Sequence, residues 1–247
     1  MTYCVGMRLN TGLVFMSDTR TNAGLDNIAT AKKMHTWEIP GDRVITMMTA
    51  GNLATTQAVI GLLDERTKAR EDRDPSILTV PSMFQIAREV GETLKEVINA
   101  NADGGQDASA FGATILLGGQ IAGSPPRLFM IYPEGNFIEA SDDNPFFQIG
   151  EAKYGKPILV RAYDPEMGFE EAIKLLLVSF DSTIKSNLSV GLPLDYVTYE
   201  RDKFVIGRQG RITDDDPYYL TVSNGWGEAL RMAFGQLPDF SFPKQTD

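Results

Sequence analysis

The first fifty residues constrain the fold most, because they carry four short apolar runs separated by turn signals. Residues 2–9 alternate loosely, with Tyr3, Val5, Met7 and Leu9 sharing one parity. A period of two is the signature of a strand. Asn10-Thr11-Gly12 marks a turn and residues 13–16 form a second apolar strand. Residues 33–39 and 43–49 repeat the arrangement around Pro40-Gly41-Asp42. Two consecutive hairpins imply antiparallel sheet from the start of the chain. Between them, residues 21–30 are polar and hold Gly24 and Asn27, so a loop is expected there.

Ala50-Gly51-Asn52 then breaks the pattern. Asn52 is placed to cap a helix whose inner face is expected to be Ala54, Ala58, Val59, Leu62 and Leu63, with the charged residues 64–74 closing it as a solvated segment. A second helix is predicted over 82–100, carrying Phe84, Ile86, Ala87, Val90, Leu94 and Val97. Asp103-Gly104-Gly105 is a loop, and strands are predicted over 110–117, 127–132 and 136–140. Helices follow over 153–163 and 169–186, then strands over 195–200, 204–207 and 219–222. A short helix over 226–234 precedes a tail containing Pro and Phe. Runs of strands alternating with pairs of helices point to antiparallel sheets layered with helices rather than to βαβ units. No Pro/Ser-rich linker divides the 247 residues, so one domain is expected, with about 223–247 as a C-terminal extension packing on it or on a neighbouring subunit.

The net charge of −10 argues against a nucleic-acid partner and against an anionic membrane surface. No apolar run is long enough to span a bilayer, and Arg8 and Asp18 interrupt any signal-peptide core. The lone Cys4 excludes an internal disulfide framework and fits a reducing cytoplasm. One histidine, His35, with one cysteine makes a poor zinc set. Asp214-Asp215-Asp216 before Pro217 reads as a solvated turn, so no metal and no cofactor is assigned.

Chemistry concentrates at Met1-Thr2. Thr is small enough to permit enzymatic removal of Met1. Thr2 would then hold a hydroxyl and a free α-amine on adjacent carbons, a nucleophile and its base in one residue. Asp18 and Lys33 are candidates to tune that amine.

The spacing of Thr2, Ser17-Asp18-Thr19-Arg20, Lys32-Lys33-Met34 and Met48-Thr49-Ala50-Gly51 resembles the proteasome β-type peptidases. Ile149-Gly150 and Leu194-Asp195-Tyr196-Val197 extend the likeness over most of the chain. The Met-Thr-Tyr-Cys start, Lys185 to Gly191 and the longer tail are most similar to the bacterial Anbu subfamily. The resemblance implies an α+β fold, the four-layer αββα sandwich of N-terminal-nucleophile hydrolases, with threonine peptidase chemistry in a homo-oligomer.

It also implies roles. Lys33, directly before an apolar residue, is the family lysine, and strand alternation turns Lys32 to the opposite face. Its ammonium should lower the pKa of the α-amine, which ordinarily titrates near ~7.7–8.0. Asp18 pairs with Lys33 and holds it. The Gly51 backbone N–H becomes the oxyanion donor. Thr21 and Asn22 fall where substrate adds as a strand, and Thr49 and Leu53 where the side chain before the scissile bond is held. Family members usually carry Ser where Glu151 stands, and Asp near Asn187; Ser189 is the best candidate hydroxyl for that network.

Three functions compete. The first is an intracellular threonine peptidase acting on peptides or unfolded proteins inside a ring or an open helical assembly. The second is an amidohydrolase of a small amide using the same nucleophile, since one fold hosts many activities. The third is a non-catalytic scaffold, against which the intact Thr2, Asp18 and Lys33 set argues. The need for an ATPase partner is left open.

Overall fold

A computed structural model of the chain describes residues 2–22, 28–68, 75–102 and 107–242. Among these described residues are two five-stranded antiparallel sheets and a separate short strand pair. The first sheet has β1 (Tyr3–Leu9), β2 (Gly12–Asp18), β10 (Phe146–Gly150), β11 (Leu194–Glu200) and β12 (Gln209–Ile212), in the order β10-β1-β2-β11-β12. The second runs β5 (Met34–Ile39), β6 (Arg43–Gly51), β7 (Ala113–Ile121), β8 (Arg127–Ile131) and β9 (Phe137–Glu139) in sequential order. The strand pair joins β3 (Arg20–Asn22) to β4 (Ile28–Thr30).

Strand alternation builds the layers. Tyr3, Val5 and Met7 of β1 face a cluster with Leu159, Leu176 and Phe180. These last three lie on α3 (Lys156–Ala162) and α4 (Phe169–Ser186). Cys4 of β1 and Leu13 and Phe15 of β2 face the other way, against Met34, Val44, Met48 and Leu116 of the second sheet. Ile45 and Met47 turn outward onto α1 (Leu53–Lys68) and α2 (Met83–Ala102) through Val59, Leu63, Ile86 and Val90. The result is the four-layer αββα sandwich. Each fully buried Leu, Met or Phe contributes ~1.5–3 kcal/mol of transfer free energy.

Several elements differ from expectation. Residues 21–30 are not wholly loop, since β3 and β4 occupy their ends. Asn52 does cap α1, its Oδ1 accepting the Thr55 N–H at 3.1 Å. The buried face, however, is Thr55, Thr56, Val59 and Leu63, while Ala54 and Ala58 are exposed. The helix also continues into the charged segment as far as Lys68. Phe84 on α2 is half exposed. A 3₁₀ turn (Ala108–Phe111) delays β7 to Ala113. β10 was not expected; it is a short edge strand between Pro145 and the bend at Glu151. Residues 204–207 are not a strand, because Asp202 and Phe204 take positive φ and the chain rejoins β11 only at Gly207 and Arg208.

The largest correction is at 219–222, which lie inside α5 (Pro217–Gly235) rather than in a strand. Asp216 accepts the N–H groups of Tyr218 and Tyr219 at 2.9 Å each, and Pro217 follows it. An Asp cap with Pro at the first helical position starts a helix whatever the strand propensity of the next residues. The same contacts show Asp216 to be a cap, not a solvated turn residue. The Asp103-Gly104-Gly105 loop, residues 23–27, residues 69–74 of the charged segment and residues 243–247 of the tail lie outside the described residues. Among the described residues no helix is long and apolar enough to cross a membrane.

Candidate active site

Thr2 stands just before β1, 9% exposed. Alternation turns its side chain to the side of Cys4, between the sheets, because Tyr3 points into the helix layer. Its carbonyl accepts the backbone N–H of Glu151 at 2.7 Å. Gly150, across from Tyr3, has φ +80 and lies so close that a Cβ there would sit 1.9 Å from the Thr2 oxygen.

Asp18 ends β2 and is fully buried. One of its oxygens, Oδ1, accepts the Tyr3 N–H at 3.0 Å and the Lys33 Nζ at 2.7 Å. Lys33 is 4% exposed and donates also to the Arg20 carbonyl at 2.6 Å. Its own carbonyl accepts the Thr49 N–H at 3.0 Å, which ties it to β6. Lys32 is exposed. A buried ion pair costs desolvation that its Coulomb attraction barely repays, so such a pair is weak as a stabilising device. Burial pushes the Asp18 carboxyl upward, against the pull of Lys33 and the Tyr3 N–H toward the ionised form. Among the described residues the second oxygen, Oδ2, has no hydrogen-bond partner of ordinary geometry, although the Gly191 amide lies close enough to favour the ionised carboxylate. Burial likewise drives the Cys4 thiol far upward, with Asp18 adding to it, so Cys4 is a core residue and not a thiolate.

Gly51 ends β6 with φ +118. Along an antiparallel strand, alternate residues direct their N–H groups to opposite neighbours. Thr49 donates toward β5 and Asn52 donates to Gly112, beside β7. The Gly51 N–H therefore points past the start of β5, on the side of Lys33. Thr49 is buried and Leu53, opening α1, is 38% exposed; the two flank Gly51 along the chain. Thr21 is half-buried on β3, whose pairing within the described residues is to β4. Asn22 ends β3, and its side chain lies outside the described residues.

Ser189 is half-buried and is held through its backbone, its N–H donating to Asn187 Oδ1 at 2.9 Å. The two departures from the family pattern meet each other, for Asn187 Nδ2 donates to Glu151 Oε2 at 2.6 Å. Nothing in the local sequence shows this pairing; the one signal was that both positions depart together. Arg20 and Thr19 strap the same loop to the end of β2 through the Leu188 and Pro193 carbonyls, at 2.9 and 2.8 Å. The arrangement therefore sets a lysine–carboxylate pair, a strand-end N–H and the start of β1 at one end of the sandwich.

A family model for the proteasome subunit matches residues 2–192. Among curated proteins no significant sequence match is found. Among solved structures, a Gly-1 mutant of Anbu from Hyphomicrobium sp. strain MC1 is 52% identical at a TM-score of 0.91, covering 98% of this chain and 100% of that one. Anbu (ancestral beta-subunit) from Yersinia bercovieri is 48% identical at 0.91, covering 98% and 100%. A helical assembly of the Anbu complex from Pseudomonas aeruginosa is 48% identical at 0.89, covering 98% of each chain.

Proposed function

The chain belongs to the proteasome subunit family, and on that premise we propose that it is a threonine-type endopeptidase of a self-compartmentalising homo-oligomer. The observation that carries this reading is the buried Lys33–Asp18 pair, hydrogen-bonded to the Tyr3 N–H and so anchored to the peptide unit that follows Thr2. A scaffold gains little from such a pair, whereas a catalyst needs a fixed charge beside the amine that acts as its base.

After removal of Met1, the Thr2 α-amine takes the hydroxyl proton as Oγ1 attacks a peptide carbonyl. The ammonium of Lys33 favours the neutral, basic form of that amine. The Gly51 N–H receives the developing oxyanion, a contribution worth ~2.7–4 kcal/mol for one donor. The peptide nitrogen leaves with a proton and an ester to Thr2 remains. Water then hydrolyses the ester and restores the hydroxyl. The edge of β3 at Thr21 and Asn22 suits an extended peptide added as a strand, with Thr49 and Leu53 beside the first side chain. Ser189 is the candidate hydroxyl for the network around the amine.

The whole chain is read as one peptidase domain working in the cytoplasm, with about 223–247 as a C-terminal extension packing on it or on a neighbouring subunit. The Pseudomonas aeruginosa assembly supports a homo-oligomer, and α5 supports it physically, with Met232 and Phe234 more than two-thirds exposed.

Two measurements test the reading. Intact mass of protein from its native host should correspond to a chain beginning at Thr2. A peptidyl vinyl sulfone should add once, at Thr2, and adduct formation should vanish in a folded Thr2→Ala. Retained Met1, or undiminished label in that variant, would refute it.

A further inference from the structure

Glu151 sits immediately beyond β10, and its N–H holds the Thr2 carbonyl at 2.7 Å. Its side chain is 11% exposed. Oε2 accepts the Asn187 amide at 2.6 Å, and Oε1 faces Lys153 Nζ at 3.4 Å, on a side chain that is 69% exposed. Asn187 closes α4 and holds the Ser189 N–H at 2.9 Å. Glu151 thus links the backbone of Thr2, through its own N–H, to the loop that follows α4, through its mostly buried carboxylate.

Among the described residues the charged and titratable groups around Thr2 are few. Asp18 on β2 and Lys33 before β5 are paired with each other at 2.7 Å. Arg20 on β3 is directed to the Leu188 carbonyl. Tyr3 and Cys4 on β1 stay neutral at working pH, burial raising the Tyr3 hydroxyl to about 12 and the Cys4 thiol further. Glu151 has a neutral amide on one oxygen and a solvent-screened lysine on the other.

We infer that Glu151, held by Asn187, is a positioning residue that sets the working pH of the Thr2 amine, opposing Lys33. This deepens the Thr2 reading above and rests on it. A negative charge beside an amine favours its ammonium form. The amine works only when neutral, so its titration is the acid limb of the rate profile. Deleting the Glu151 charge therefore moves that limb to lower pH. The Glu151 N–H bond to the Thr2 carbonyl keeps its carboxylate within a side chain's reach of that residue; at an effective dielectric of ~40 a unit charge ~7 Å from a titrating group displaces it by about half a unit to one unit. A serine at this position could hold a loop but could not exert this effect.

The test is the second-order rate of peptidyl vinyl sulfone capture by the assembled protein across pH 5–9. Glu151→Gln keeps an oxygen for the Asn187 amide and removes the charge. Its limb should lie lower by about half a unit to one unit, which means roughly three- to tenfold faster capture well below the limb. In Glu151→Gln/Asn187→Asp the glutamine amide donates to the aspartate, restoring both hydrogen bond and charge, and the limb should return toward wild type. Lys153→Ala, a surface change, should move the limb to higher pH, and it carries the test if the Glu151 variants melt early. An unmoved limb in the folded variants, or a loss of rate equal at every pH, overturns the inference. Failure of wild type to label at Thr2 instead overturns the parent reading.

Discussion

Replacing Gly150 by Ala should disable the site at a modest cost in stability. Gly150 has φ +80, and an added Cβ would lie 1.9 Å from the Thr2 carbonyl oxygen, where 3.0 Å is the practical lower limit. The Thr2 oxygen must therefore retreat by at least about 1 Å, breaking its 2.7 Å hydrogen bond from Glu151. A misplacement of ~1 Å at a reacting group costs on the order of 10²-fold in rate. The left-handed backbone adds ~1–2 kcal/mol of strain for a residue with a Cβ. Gly41 supplies the control, because it has the same φ of +80 with nothing within 4 Å of an added Cβ. Gly41→Ala should show the strain alone, a fall of a few degrees in Tm. The assay is capture of a peptidyl vinyl sulfone at Thr2, read by intact mass, beside a melting curve. Expected is a loss of about 100-fold or more for Gly150→Ala and less than threefold for Gly41→Ala. Wild-type capture by Gly150→Ala, or an equal loss in both variants, would refute the placement of Thr2 against Gly150.

Lys33→Met should abolish capture and, by stranding Asp18 in the interior, cost ~3–5 kcal/mol of stability; the added change Asp18→Asn should recover most of the stability and none of the capture. Lys32→Ala, on the exposed neighbour, should alter Tm by under a degree or two, and a severe effect there would reverse the assignment of the two lysines. Cys4 should resist iodoacetamide in the native protein even near pH 9, since burial raises its thiol and leaves no thiolate, and should alkylate at once in denaturant; native labelling would show that strand β1 opens. Replacing Met232 and Phe234 on α5 by Ser should lower the assembly mass in light scattering with the melting curve of the subunit retained; unchanged mass would place the contact between subunits elsewhere.

Much that depends on near neighbours in the chain was legible in the residues themselves, although the equally local Asp216-Pro217 helix start was misread. The period of two in Tyr3, Val5 and Met7 divides core layers in the fold as it does on paper. Asn52 caps α1, and α4 spans Phe169–Ser186, as its pattern predicts. Lys33 is buried and Lys32 exposed, as the alternation argument expected, although both stand just before β5.

What lay beyond local reach was decided by packing. Residues 219–222 carry strand propensity, yet the cap at Asp216 and a hydrogen bond from the Tyr219 hydroxyl to Asp181 on α4 fix them in a helix. Ala54 and Ala58 satisfied a helical period, but the rotation of α1 about its axis is set by the sheet beneath it, and Thr55 and Thr56 took the inner face. The charges of Asp18 and Lys33 could be matched in sequence, whereas the burial that removes solvent from around their pair could not. Glu151 and Asn187, separated by 36 positions, meet because β10 pairs with β1 and α4 ends above that edge. A hydrogen bond between such distant residues is a property of the assembled sheets, and no window of the chain contains it.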